Sequence, residues 1–302
     1  MKTKLKKAAT AATEKEEKRF DLYQSVTDAI LAHLEKGTVP WRRPWDNRVG
    51  RPVNLASGHA YQGINVLLLG LRGFASPHWL TLRQANDLGA QVRKGERGTL
   101  IVKAGKHEQR RKGEEDKVRT TYYLRGYTVF NALQIDGLNV QPEAERPELP
   151  GEERIAAAER IVSAMKTKPA INEGRTVRAS YNLPTDTVDM PERSRFESAE
   201  RFHMVLFHEL IHSTGHESRL NRASLVGATS SVMTEYSKEE LVAEMGAAFL
   251  GMEAGIVDDG HEQSSAYIQS WLKTLQEPGR KRWIVEAGSQ AAKAARFVLG
   301  IQ

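Results

Sequence analysis

Apolar residues recur every three or four positions in several stretches of the chain, and this spacing predicts α-helices. The first predicted helix places its apolar residues on one face, namely Tyr23, Val26, Ile30 and Leu34. A glycine and a proline follow at positions 37 and 40 and predict its end, because both residues terminate helices. By the same reasoning, helices are expected at about residues 19–35, 63–71, 81–88, 152–166, 198–213, 238–253 and 262–276.

Two segments, 98–103 and 121–130, are rich in β-branched and aromatic residues and therefore predict β-strands. The charged stretch 104–120 between them predicts the tip of a long hairpin. Extended segments are also expected around 169–190. Together these elements predict an α+β fold, in which a small α/β domain precedes a mostly helical domain that contains a small β-sheet.

Composition marks the boundary between the two predicted domains. Residues 142–152 contain three prolines and four glutamates, a composition typical of linkers. Residues 1–18 lack aromatic residues and an apolar period, which predicts a basic flexible arm. The expected organisation is an arm at 1–18, a first domain at 19–141, a linker at 142–152 and a second domain at 153–302.

The net charge changes sign at the same boundary. Residues 1–141 carry 25 lysines and arginines against 14 acidic residues, whereas residues 142–302 carry 19 against 24. A basic domain joined to an acidic one indicates that the first domain binds a polyanion such as nucleic acid. The alternative is a basic surface that is only solvated.

Composition also excludes several classes of protein. No apolar run approaches the roughly 20 residues of a membrane-spanning helix, and no apolar core follows the basic amino terminus as it would in a secretory signal. The chain has no cysteine, which excludes disulfides and cysteine-ligated zinc. A cytoplasmic protein without a membrane partner is therefore expected.

The most specific chemical motif is H-E-x-x-H, formed by His208, Glu209 and His212 within a predicted helix. Residues four apart on a helix lie one turn apart on one face, so both imidazoles can bind one cation. Zinc is the expected ion, with Mn²⁺ or Co²⁺ as alternatives. Glu209 is expected to act as general base on a water at the ion. The alternative is a pair of exposed histidines beside an unrelated glutamate.

The third metal ligand is expected to be a carboxylate. Metzincins carry a third histidine ten residues after the first, and Ser218 occupies that position here, which excludes the class. Thermolysin-type sites instead take a glutamate from a following helix. Ser237 and Glu240 match a capping box at the start of the helix predicted at 238–253. Glu244, one turn further on, is therefore the expected ligand, and Glu240 is the alternative.

Other residues near the motif have weaker signals. The segment 179–191 is either an exposed sheet edge that pairs with an extended peptide or a covered strand. His216, just past the helix end, is expected to be a loop residue or to support the metal ligands, and His203, off the ligand face of the helix, is expected to be structural.

The basic half contains a loop in which two aromatic residues and two arginines alternate: Trp41, Arg42, Arg43 and Trp45. Single-stranded nucleic acid is bound by flat rings that stack on bases and cations that follow the phosphates. Further candidates for contacts with DNA are Tyr61, Asn65, Arg93 and Lys94. The alternative is that the tryptophans pack on the core and the arginines are solvated.

Several motifs in this order resemble those of ArdC-type antirestriction proteins of conjugative plasmids. In the first half they lie at 39–45, 57–69, 79–85, 94–98 and 127–131, and in the second half at 207–212, 214–222 and 239–250. The resemblance implies a single-stranded-DNA-binding domain followed by a zincin-like metallopeptidase domain. It further implies a role in protecting incoming plasmid DNA from host restriction, with a restriction component or another protein as a possible substrate. The alternative is a DNA-binding protein without enzymatic activity whose metal site is structural or vestigial.

Overall fold

The computed structural model describes residues 21–42, 49–110, 118–138, 149–226, 233–256 and 265–301. The predicted arm at 1–18 and residues 142–148 of the predicted linker lie outside these ranges, as do Arg43 and Trp45. The helices are α1 (Leu22–Glu35), α2 (Ile64–Gly70), α3 (Leu82–Asp87), α4 (Gly151–Ala164), α5 (Ala199–Ser213), α6 (Ala223–Val226), α7 (Met233–Ala254), α8 (Ser265–Gln276) and α9 (Trp283–Val298). Within the described ranges, none of them combines the length and hydrophobicity of a membrane-spanning segment.

Short strands and one long hairpin form the sheets of the first half. The strands are β1 (Val53–Asn54), β2 (His78–Thr81), β3 (Gln91–Val92), β4 (Thr99–Arg110), β5 (Val118–Asn131) and β6 (Ile135–Asp136). Four of them form one sheet in the order β1-β2-β5-β4, and β3 pairs separately with β6. The β4–β5 pairing is antiparallel over twelve residues of β4, so the hairpin continues as strand into the region expected to be its tip.

Helix α1 forms where the periodicity predicts it, because its cap and its apolar face agree. The Asp21 carboxylate accepts hydrogen bonds from the backbone N–H groups of Tyr23 and Gln24 at the helix start, which satisfies donors that a helix leaves unpaired. On the opposite side from solvent, Val26, Ile30 and Leu34 are fully buried.

The second half is mostly helical, with one small sheet. Its strands are β7 (Ala170–Glu173), β8 (Ser180–Asn182) and β9 (Thr187–Met190), in the order β7-β9-β8. Strand β7 runs parallel to β9, and β8 runs antiparallel to it. Because β9 is the central strand, β8 lies at an edge of the sheet. Helix α5 packs against both β8 and β9 and against α7. The α+β class and the mostly helical second half are thus confirmed.

The two halves share one hydrophobic core. Helix α1 packs against α8 and α9, and one apolar cluster contains residues of both halves. Helices α2 and α9 approach so closely that a Cβ atom at Gly288 would lie 2.8 Å from the backbone nitrogen of Ile64. A larger residue at position 288 would therefore require α2 and α9 to shift apart. Burial across this boundary is a property of the fold that composition did not predict.

Three helical elements differ from the sequence prediction, and one of them is the one-turn helix α6, which was not expected. Helix α7 begins at Met233, several residues before the capping box expected at Ser237. Helix α9 was not predicted at all, although it contributes buried residues such as Ile284 and Ala291 to the core. Because α7 begins before Ser237, Glu240 is an interior helical residue and not part of a helix cap, and this bears on the metal site.

Candidate metal centre

Helix α5 carries the H-E-x-x-H motif and is anchored by its apolar residues. The Ser198 hydroxyl accepts a hydrogen bond from the backbone N–H of Arg201 at 3.1 Å and caps the helix start. The buried apolar residues along the helix include Phe202, Leu206, Phe207, Leu210 and Ile211. Because this stripe lies in the core, the orientation of the two histidines is determined by packing.

Three side chains converge at the surface of α5. The Nε2 atoms of His208 and His212 are 3.1 Å apart. The two carboxylate oxygens of Glu240 face one imidazole each, with Oε2 3.4 Å from Nε2 of His208 and Oε1 3.4 Å from Nε2 of His212. Tetrahedral zinc with ligands at about 2.0–2.2 Å holds its ligand atoms about 3.3 Å apart. The spacing and chemistry of these three side chains therefore fit a single divalent cation, with one position left for water or substrate.

Close packing of α7 on α5 brings Glu240 to the histidines. A Cβ atom at Gly246 would lie 2.8 Å from the Ile211 side chain, so glycine at this position permits the contact between the helices. Leu241 and Met245 of α7 are fully buried in the same interface. Glu240 lies six residues before Gly246 on α7, and its carboxylate faces the two imidazoles.

The sequence favoured Glu244 as the third ligand, but the structure places Glu240 at the histidines. Glu244 instead forms an ion pair with Arg42 at 3.5 Å, on the side of α7 that faces the first half. The prediction assigned Glu240 to a helix cap, but α7 begins at Met233 and Glu240 is an interior helical residue. Its carboxylate is therefore available to the site, as the alternative had allowed.

A buried carboxylate holds His212 from behind. Glu239 lies 3.4 Å from Nδ1 of His212, and Ser224 donates a hydrogen bond to it at 2.6 Å. It also forms a buried ion pair with Arg222. Burial opposes ionisation of Glu239, but its hydrogen bonds with His212 and Arg222, together with their charges, outweigh burial and lower its pKa to about 2. This contact was not predicted from the sequence, because it joins Glu239 to Arg222 and Ser224 of a different segment.

The electrostatics of the cluster favour a cation. Burial alone would lower the pKa of His212, but hydrogen bonds and charges of Glu239 and Glu240 raise it to about 10. Burial would raise the pKa of Glu240, yet the two histidines hold it well below its usual range. Positive charge is thus stabilised where the three ligand atoms meet, and a divalent ion there would replace the proton on His212.

We expect Glu239→Gln to lower the affinity for a divalent metal about 10- to 100-fold, because carboxylates that orient a ligating histidine have effects of that size. Affinity for zinc would be measured by competition with a chromogenic chelator. Glu286→Gln is the matched control. Glu286 lies on α9 and pairs with Lys238, the α7 residue just before Glu239, at a more exposed position. Equal affinities in the two variants would show that Glu239 does not orient His212.

Glu209 lies next to the first histidine and is 8% exposed. In the described part of the chain its carboxylate has no hydrogen-bond or ion-pair partner. Its oxygens are not fully buried, so solvent reaches the carboxylate.

The segment before α5 contributes an edge of the sheet. Within the stretch 179–191, β8 is the edge strand and β9 the central one. Tyr181 and Arg219 both bind the Asp186 carboxylate, and Arg219 donates to the Ser213 carbonyl at the end of α5 at 2.7 Å. The turn between β8 and β9 is therefore attached to the metal-site helix.

The two remaining histidines considered from the sequence lie outside the cluster. His203 is fully buried and lies 2.7 Å from the Ala199 carbonyl oxygen and 3.0 Å from the Glu159 carboxylate. His216 interacts with Ser218 just beyond α5. Neither is among the residues that converge with Glu240.

Trp41 and Arg42, two of the residues predicted to bind DNA, lie between the two halves. Trp41 is 1% exposed and packs edge-on against Trp271 at 5.4 Å between ring centroids. Its indole N–H donates to the Tyr267 hydroxyl at 3.3 Å, and Arg42 stacks over the same tyrosine ring. The prediction that these two side chains stack on bases and follow phosphates is corrected here, because α7 and α8 cover them.

The remaining predicted DNA contacts are divided between structural and exposed positions. The Asn65 carboxamide pairs with both backbone groups of Val102, at 2.8 and 2.9 Å, and so satisfies the outer edge of β4. Tyr61 is half-buried, and the Asn54 amide donates to its hydroxyl. Arg93 pairs with Glu96. Lys94 is exposed. Asn65 and Tyr61 thus have contacts within the fold, whereas Arg93 and Lys94 are exposed.

Family models match both halves of the chain. The model described as the N-terminal domain of anti-restriction factor ArdC matches residues 20–130, and a zincin-like metallopeptidase model matches residues 156–290. Among curated proteins, a DNA primase TraC of Escherichia coli is 37% identical over 93% of this chain and 27% of the primase. The chain therefore spans about a quarter of the length of that relative.

Two crystal structures of the antirestriction protein ArdC from plasmid R388 match nearly the whole chain. The metal-free structure is 40% identical and covers 94% of this chain and 100% of that one, with a TM-score of 0.72. The Mn(II)-bound structure is 41% identical and covers 92% and 97%, with a TM-score of 0.73. At this identity and coverage the family is established. The chain belongs to the ArdC antirestriction family, with an ArdC-type N-terminal domain followed by a zincin-like metallopeptidase domain.

Proposed function

We propose that this protein is a plasmid-type antirestriction factor that binds single-stranded DNA and hydrolyses a protein substrate at a divalent-metal site. The observation that carries the enzymatic part is the geometry of His208, His212 and Glu240, whose ligand atoms all lie within 4.8 Å of one another. A host restriction component, or another protein that acts on incoming DNA, is the proposed substrate.

Each side chain of the site has a distinct part in this proposal. His208, His212 and Glu240 would hold the ion, and Glu239 keeps His212 in its ligating orientation. A bound divalent cation would supply Lewis acidity toward a peptide carbonyl oxygen. Glu209, the residue after His208 in the sequence, would accept the proton of the attacking water and deliver it to the leaving amine.

Zinc remains our proposal for the native ion, because two imidazoles and one carboxylate with an open position are typical of catalytic zinc sites. The Mn(II)-bound form of R388 ArdC supports a divalent metal in this family and keeps Mn²⁺ as an alternative. The edge strand β8 supports an extended peptide as substrate, since its unpaired backbone groups can pair with a further strand.

The DNA-binding part of the proposal concerns the first half. Residues 1–141 carry a net charge of +11, and the family model that matches 20–130 is that of an anti-restriction factor. The likeness to DNA primases named TraC also supports a role on DNA. We propose that this half holds the entering single strand while the metal domain acts on protein.

We expect Glu209→Gln to abolish protection of an incoming plasmid. Loss of a general base typically lowers an enzyme's rate by about 10²- to 10⁴-fold. Protection would be measured as transfer efficiency into a restricting recipient relative to a non-restricting one. Affinities for metal and for single-stranded DNA should remain unchanged.

Glu217→Gln is the matched control, since Glu217 is an exposed glutamate just beyond the same helix. Full protection by Glu209→Gln would overturn the enzymatic proposal. It would favour the alternative of a DNA-binding protein whose metal site has no catalytic role.

A further inference from the structure

One face of the β4–β5 hairpin is exposed and combines aromatic rings with cations. In the register of the two strands, Ile101 lies opposite Tyr127, Lys103 opposite Arg125, and Gly105 opposite Tyr123. Residues directly opposite each other in an antiparallel pair share a face, as do alternate residues along each strand. Tyr123, Arg125, Tyr127 and Lys103 therefore lie side by side on this face.

The other face of the same hairpin is used by the fold. Val102 is buried there in the main core, and Gly126, which lies opposite it, is in close contact with Leu22 of α1. Among the described residues, the face with the tyrosines is covered at its base, where Ile101 packs with Trp79 and Tyr61. Beyond Ile101, Tyr123 and Tyr127 are 38% and 39% exposed.

The pairing of Lys103 with Arg125 is unfavourable for the fold. Like charges directly opposite each other in a sheet are destabilising, and within the described ranges neither cation forms an ion pair with a carboxylate. Arg125 instead lies over the Tyr123 ring at 4.8 Å, and that ring lies across Gly105, where the absence of a side chain leaves room for it. Two adjacent cations and two exposed rings are a cost that an anionic ligand with flat groups would offset.

We infer that this face, which we call the tyrosine face (Lys103, Tyr123, Arg125 and Tyr127), is where the protein binds single-stranded DNA. The inference rests on the proposed DNA-binding function and assigns it to a surface. Exposed rings stack on bases and neighbouring cations contact phosphates in proteins that bind single strands. The tyrosine face takes the role that the sequence had assigned to Trp41 and Arg42.

The spacing of the rings favours a single strand over a duplex. Four residues of antiparallel strand separate Tyr123 from Tyr127 by about 14 Å, which is far more than the roughly 3.4 Å rise between stacked bases. Each ring therefore accepts a base from a separate position of an extended strand. The bases of a duplex are stacked on each other and cannot present their faces in this way.

The test is a binding titration of the full chain with fluorescently labelled oligothymidylate, followed by anisotropy. Tyr123→Ala and Tyr127→Ala should each weaken binding about 5- to 150-fold, the effect of removing one base–aromatic stack. Tyr127→Phe keeps the ring and should bind nearly as well as the unchanged protein. Unchanged thermal unfolding would show that the exposed side chains are not needed for folding.

The charge contribution is tested separately through salt dependence. Arg125→Gln should reduce the slope of log affinity against log salt concentration by about 0.7, as expected for one phosphate contact on a single strand. Arg83→Gln is the matched control, because Arg83 is 90% exposed on α3, which packs on the opposite side of the sheet. For Arg83→Gln, the slope of log affinity against log salt concentration should equal that of the unchanged protein.

The possible outcomes separate the inference from the function beneath it. If the unchanged protein does not bind the oligonucleotide, both the DNA-binding function and the tyrosine face are wrong. If it binds and the tyrosine variants bind equally well, only the tyrosine face is overturned. Equal competition by duplex and by single-stranded DNA would overturn the choice of ligand.

Discussion

Glu240→Gln is expected to abolish stoichiometric binding of a divalent metal, whereas Glu244→Gln is expected to leave it intact. The carboxylate of Glu240 lies 3.4 Å from Nε2 of both His208 and His212. Glu244, one turn later on the same helix, pairs with Arg42 of the first half. Because removal of an outer-shell carboxylate already costs about 10- to 100-fold in affinity, loss of a direct ligand should exceed that range.

The measurement is metal content after dialysis against zinc, together with isothermal titration of the metal-free protein. The two variants are matched controls for each other, since each replaces a glutamate of α7 by its neutral isostere. If Glu244→Gln loses the metal and Glu240→Gln keeps it, the ligand predicted from the sequence is correct. Circular dichroism should show the same helical content in both.

Trp41→Ala is expected to lower the free energy of unfolding by about 3–5 kcal/mol, the usual effect of truncating a buried tryptophan. The ring is 1% exposed and contacts both Trp271 and the Tyr267 hydroxyl. Its removal would leave a cavity between the first half and α8. Urea denaturation followed by circular dichroism measures the change.

The control for Trp41→Ala is Leu82→Ala, because Leu82 is 50% exposed and such surface changes usually stay within about 0.5 kcal/mol. At a low temperature where Trp41→Ala is still folded, this variant should bind single-stranded DNA as tightly as the unchanged protein. A variant of unchanged stability with much weaker DNA binding would mean that Trp41 stacks on a base after all.

Local features of the site were predictable from the sequence because they depend on neighbours along the chain. The four-residue spacing of His208 and His212 places both imidazoles on one helical face wherever the helix lies. The helix itself follows from its apolar period, and α1 follows from Val26, Ile30 and Leu34 in the same way. The long hairpin was predicted from two segments rich in β-branched and aromatic residues with a charged stretch between them. Its strands extend further into that stretch than the composition indicated.

The third ligand could not be chosen correctly from the sequence. Glu240 and Glu244 are one turn apart, and the choice between them depended on where α7 begins. A capping box at Ser237 was a reasonable local signal, yet α7 begins at Met233 and runs through it. Local cap preferences are worth about 1 kcal/mol, and packing of a helix against the core can outweigh them.

The sequence by itself determined the class of fold, the metal-site helix and the basic character of the first half, since each follows from periodicity or composition. Only the tertiary structure decided that Trp41 and Arg42 pack against α7 and α8, and that Glu240 is the glutamate that lies beside the two histidines. It also decided which face of the hairpin stays open. These features depend on contacts between residues far apart in sequence, such as Trp41 with Trp271, and no local pattern encodes which distant surface a side chain will meet.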